Sequence, residues 1–130
     1  MLYSILIYGS EAMIETFTEA DEAAVLEKHY ALQSDLRAKG TLGPFGRLMP
    51  TTAAVTIRSE KSTPVVLDGP FAETKEQLLG FYLVECDTLE EAVETAKRLS
   101  MGVGALEVRP VHYYGPGVIE TDDTEPAPKS

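Results

Sequence analysis

"GFYLVECDTLEEAVETAKRLSMG", residues 80–102, decides the fold. Residues 80–87 are an apolar run rich in aromatic and branched side chains, the pattern of a buried strand. Thr88 and Glu91 then stand at capping-box spacing. Leu89, Ala92, Val93, Ala96 and Leu99 recur along one helical stripe, and Gly102 marks the stop. "ALEVRPVHYY" (105–114) returns to strand. This half of the chain reads β-α-β.

Moving outward, the N-terminal half repeats the theme. "MLYSILIY" (1–8) is a nearly continuous apolar run ended by Gly9, again a buried strand. "GSEAMIETFT" reads as a polar loop. Thr18 followed by Asp21 and Glu22 begins a helix, with acids in the first turn to suit its dipole, and Gly40 ends it after Lys39. Val25, His29, Leu32 and Leu36 share one stripe, so His29 faces the core or its edge. Between the halves, "TLGPFGRLMP" (41–50) reads as a broken strand. "TAAVTIRS" (52–59) and "TPVVLD" (63–68) read as a hairpin turning at "EKS".

With the hairpin set aside, the order is βαββαβ. That is the ferredoxin-like split motif of the α+β class, spanning 1–114, with 115–130 expected to be a disordered acidic tail. Two helices cover one face of such a sheet. The other face is left bare, and a homodimer is its natural completion.

Composition narrows the functions. The chain has 130 residues, 44% of them hydrophobic and 25% charged, as in a globular protein. A formal net charge of −10 argues against nucleic acid and against anionic membrane surfaces as partners. No run approaches a membrane span and none resembles a signal peptide, so a cytoplasmic location is expected. The single cysteine, Cys86, excludes an internal disulfide, and the carboxylates of Glu85 and Asp87 beside it favour an inert thiol. No zinc-ligand spacing, phosphate-binding glycine loop or nucleophile elbow is present, so neither a metal nor another cofactor is expected.

What remains is His29 with Asp68. A histidine works as an acid or base near neutral pH when a second group fixes its tautomer. Asp68 ends a strand at the Gly69-Pro70 corner, where proline restricts the preceding backbone, so its carboxylate is either pre-positioned for such a role or spent on an Asx turn. His29 is open to a plainer reading too, as a core-edge histidine bonded to a backbone carbonyl. Phe71 is expected to anchor the following loop in the core. Glu73, Lys75 and Glu76 are either a solvated patch or strand residues facing a dimer partner. Arg58 and Arg109 are candidates to pair with them or to hold an anionic substrate.

"VVLDGPFAETKEQLLGFYLVECDTLEEAVETAKRL", followed by "EVRPV" and preceded by "YSILIYGSE", resembles the YCII-related superfamily in its DGPF branch, named for this motif. The resemblance implies a ferredoxin-like fold and a dimeric α+β barrel. It also implies a histidine–aspartate pair at a cleft, since His29 in "EKHYALQSDLRAKG" matches the helix histidine of YCII proteins and Asp68 matches the motif's aspartate. A related branch includes a dehydrochlorinase acting on chlorinated hydroquinones. Genes of the DGPF branch tend to accompany extracytoplasmic-function sigma factors, which implies an accessory role.

Two functions follow as expectations. One is a cofactor-independent enzyme, with His29 and Asp68 catalytic and Arg58, Arg109 and Phe71 binding a small molecule for elimination or isomerisation. The other is a non-catalytic dimer that binds a small molecule or a protein.

Overall fold

Alternation in the first strand organises the molecule. In β1 (Leu2–Gly9), Tyr3, Ile5 and Ile7 are buried on one face, and Leu2, Ser4, Leu6 and Tyr8 occupy the other. The computed structural model describes residues 1–119. Three more strands join β1: β2 (Leu42–Arg47), β5 (Gln77–Glu85) and β6 (Ala105–Pro110). The spatial order is β2-β5-β1-β6 and all pairings are antiparallel, in agreement with the split βαββαβ expectation. The intervening strands β3 (Val55–Glu60) and β4 (Thr63–Asp68) form a separate two-stranded sheet.

The long helix α2 (Glu19–Lys39) starts where its cap dictates. The Thr18 hydroxyl accepts from the Asp21 amide, the Asp21 carboxylate accepts from the Thr18 amide, and Gly40 closes the helix at φ 73°. In α3 (Leu89–Lys97), the Thr88 hydroxyl accepts from the Glu91 amide. The Glu91 carboxylate takes the amide of Asp87, one residue before the cap. Leu32 and Leu36 from α2 and Ala92 and Ala96 from α3 meet Tyr3, Ile5, Tyr82 and Val84 in one core. Both helices therefore cover the same face. Among the described residues no helix covers the other, where Leu6 stands opposite Phe81 and Ser4 opposite Leu83.

Three local expectations are corrected, and one pair of alternatives is decided. Part of "GSEAMIETFT" is a short helix, α1 (Glu11–Ile14), because Ser10 caps it by accepting from the Met13 amide. Residues 51–53 form a 3-10 turn ahead of β3, so that strand begins only at Val55. Of the two alternatives for Glu73, Lys75 and Glu76, the solvated patch holds: they lie in an exposed loop that ends before β5, so strand alternation does not govern them. The last strand ends at Pro110, which stands opposite Tyr3, and residues 111–119 have no regular structure. The remainder of the expected tail, 120–130, lies outside the described residues.

The hairpin turns on Lys61 and Ser62, both at positive φ (49° and 73°), as a tight two-residue connection demands. Its far end is the Asp68-Gly69-Pro70 corner, where Gly69 takes φ 93°, a value that favours glycine. The corner is tied from β3 and the residue before it: the Gly69 amide donates to the Ala54 carbonyl (2.7 Å) and the Thr56 hydroxyl donates to the Gly69 carbonyl (2.7 Å).

Candidate functional site

A cleft of about 350 Å³ opens between α2 and the β2–β5 end of the sheet. Its walls are apolar, with Ile14 and Phe17 before α2, Val25 and Leu26 on it, and Leu79 and Met101 across from them. Volume and lining are those of a small-molecule pocket, largely apolar with few polar groups. Two polar clusters break the apolar lining.

The first cluster is His29, Gln33 and Tyr82. Tyr82 alternates inward from β5 and is buried, so its hydroxyl needs partners within the protein. The Gln33 side-chain amide donates to it at 2.8 Å, and His29 Nδ1 lies 2.8 Å from the same oxygen. Gln33 and His29 are one turn apart on α2, which puts both over the phenol. The His29 and Phe45 rings each stack with the Tyr82 ring, at centroid distances of 5.7 and 5.1 Å. The imidazole plane is thus held by a hydrogen bond and a stacking contact. Among the described residues no hydrogen bond occupies Nε2.

The second cluster is Arg47, at the end of β2, with Glu22 in the first turns of α2. Arg47 Nη1 and Glu22 Oε2 are 3.1 Å apart at the cleft's edge, and the guanidinium is the more exposed partner. These charges act on His29. Burial, then the positive charge of Arg47, lowers its pKa from the ordinary 6.5, and Glu22 opposes them. Near pH 7 the neutral imidazole is therefore favoured over the charged one.

The sequence-derived candidates fall in different places. His29 lines the cleft, but its ring partner is the Tyr82 phenol and not Asp68. Asp68 ends β4 on the hairpin, exposed to solvent, and neither a hydrogen bond nor an ion pair joins it to His29. The Asx-turn alternative is also absent, because the corner is held by Gly69 with Ala54 and Thr56. Phe71 does not anchor the loop: it is 74% exposed, since the loop runs outside the core. Arg58 projects from the hairpin and makes one long contact, 3.5 Å to the Phe71 carbonyl. Arg109 pairs along its own strand with Glu107 at 2.5 Å. None of Asp68, Phe71, Arg58 and Arg109 lines the cleft. Cys86 is buried, and that burial raises its thiol pKa.

Sequence reasoning passed over Tyr82, Gln33, Arg47 and Glu22. Two of them carried a signal. Gln33 follows His29 at i+4, and Tyr82 places a hydroxyl inside an apolar strand, where it needs a partner. Arg47 sits in a segment broken by glycine and proline and carried none.

Among the described residues, no group of three or more His, Cys, Asp and Glu side chains is arranged to hold a metal ion. No helix there is long and apolar enough to cross a membrane.

The YCII-related domain matches residues 1–114. A protein of Rhizobium meliloti (strain 1021), named "Uncharacterized protein R00369", is 45% identical over 120 residues, covering 90% of this chain and 97% of that one. The match takes in both halves of the split βαββαβ order and the helix that carries His29, and this chain belongs to the YCII-related family.

Proposed function

We propose that this protein is a cofactor-independent proton-transfer catalyst acting on a small molecule bound between α2 and the sheet, and that it works as a homodimer. The observation that carries the reading is His29: an imidazole whose charged form is disfavoured, fixed through Nδ1 to Tyr82, with no hydrogen bond at Nε2 among the described residues, on the wall of a mostly apolar cleft. In this reading Tyr82 takes the orienting role that the sequence suggested for Asp68. In the tautomer whose Nδ1–H donates to the Tyr82 oxygen, Nε2 holds the lone pair and removes a proton from a carbon of the substrate. The electron pair left behind either expels a leaving group from the neighbouring carbon, an elimination, or is reprotonated at another carbon by the same imidazolium, an isomerisation. Neither route consumes an external oxidant or reductant.

One observation favours a second reading, a binding protein without catalysis. The group orienting His29 is a phenol, and burial together with Arg47 disfavours the imidazolium that proton removal creates. Exchange in D2O separates the two. A panel of small carbon acids is incubated with the protein and followed by proton NMR for deuterium entering the acidic position. Catalysis predicts exchange that falls at least about 100-fold in His29→Gln while binding persists. Binding without exchange, unchanged in the variant, selects the second reading.

A further inference from the structure

The charged pair at the cleft's edge says more about the ligand than the histidine does. Arg47 and Glu22 come from different elements, β2 and α2, and their contact joins the two walls. An arginine at an apolar cleft is a ready recognition group for a carboxylate, since its planar donors match the two oxygens. Glu22 now occupies part of that donor set through one oxygen, at 3.1 Å. With the Arg47 side chain 64% exposed, such a pair contributes little net stability and exchanges readily for a better anion. Among the described residues the cleft lining offers no second cation, and its remaining polar side chains are His29, Gln33 and the two tyrosines, Tyr30 and Tyr82. One anionic head is therefore matched by one guanidinium, and the rest of the ligand meets carbon.

We infer that the cleft selects a compact, largely apolar monoanion, a small aromatic or aliphatic carboxylate, whose head group displaces Glu22 from Arg47. This rests on the cleft being the binding site, the reading given above, and it adds the ligand's charge and the residue that reads it. Glu22 is the internal competitor for Arg47. The plainer role for the pair, a tether between α2 and β2, predicts a different response to mutation.

The test compares 3-phenylpropionate with 3-phenylpropionamide, nearly equal in shape and different in charge. Amide-shift titrations are run on the full chain, on Arg47→Gln and on Glu22→Gln, following Gly46, Leu79 and Gly80. The acid is expected to bind the wild type about fivefold or more tightly than the amide, and Arg47→Gln to erase that preference. Glu22→Gln is expected to tighten acid binding roughly two- to fivefold, the scale of an exposed ion pair, with amide binding unchanged. Equal binding of both probes to the wild type overturns the inference and leaves the cleft as a site. Unchanged or weakened acid binding in Glu22→Gln also overturns it, in favour of the tether. If neither probe shifts the three cleft residues, the cleft reading itself fails and the inference goes with it.

Discussion

His29 is half-buried and balanced between opposing charges, which makes its protonation a matter of stability as well as chemistry. Its folded pKa lies below its ordinary 6.5, because burial and then Arg47 disfavour the charged ring. The unfolded chain therefore binds this proton more readily than the folded one. Linkage then gives the sign: stability rises with pH where the unfolded state holds more protons. The contribution is fully present above about pH 6.5 and is lost as pH falls through the lowered folded value. Urea unfolding at pH 7.5 and 5.5 is expected to show the wild-type midpoint falling on acidification by more than that of His29→Gln, whose side chain does not titrate. Equal falls in the two proteins would show that His29 is as easily protonated folded as unfolded. The same shift keeps the base form present to lower pH than a solvated histidine would allow.

At the scale of elements, a single residue, through its carboxylate and its backbone amide, joins three pieces of chain around the cleft. Glu11, in α1, accepts from the Thr51 amide at 2.8 Å and from the Thr51 hydroxyl at 2.7 Å, while its own amide donates to Gln77 Oε1 at 2.8 Å. The start of the hairpin insertion, the start of β5 and the helix that places Ile14 in the cleft wall are tied together there. Hydrogen bonds to a charged group are worth about 1.5–3 kcal/mol each when made inside a protein, less where solvent reaches them. Glu11→Ala is expected to cost about 1–2 kcal/mol and to speed amide exchange at Thr51 and through β3 and β4, with α3 and β6 unaffected. Unchanged exchange at Thr51 would show that the insertion is held by other contacts.

This junction also explains which elements were readable beforehand. Thr18 with Asp21, Thr88 with Glu91, and Gly40 act within a few residues, so the two long helices were visible in the sequence. The hairpin showed itself through two β-rich runs with a polar turn between them. Glu11 meets Thr51 across 40 positions and His29 meets Tyr82 across 53, and no local pattern reports such pairings. His29 was found because it sits on an apolar stripe. Its partner was not, because the glycine-proline corner drew attention to Asp68, whose rigidity serves the turn.

For the whole molecule the open question is what covers the bare sheet face, and we expect a second copy. Leu2, Leu6, Tyr8, Phe81 and Leu83 share that face, and Glu107 on it is already neutralised by Arg109. Area limits how this works. Four strands about 4.8 Å apart and about six paired residues long present roughly 20 by 20 Å, about half of the ~800 Å² per partner typical of a stable interface. The sheet face alone is too small. The hairpin supplies further apolar surface, since Val55, Ile57 and Val66 lie on one of its faces with 61–68% of each exposed. A two-stranded sheet is also marginal by itself, so covering that face stabilises the hairpin as well. Phe81→Glu puts an unpaired charge into the apolar contact, and sedimentation at micromolar concentration is expected to show a folded monomer where the wild type is a dimer. Ile57→Glu is expected to weaken the dimer if the hairpin takes part and to leave it unchanged if the sheet face suffices. Because each chain carries −10, added salt screens the repulsion between copies and should tighten the dimer. A wild type that sediments as a monomer at all salt concentrations would remove the second copy from the account and leave the cleft to be completed within one chain.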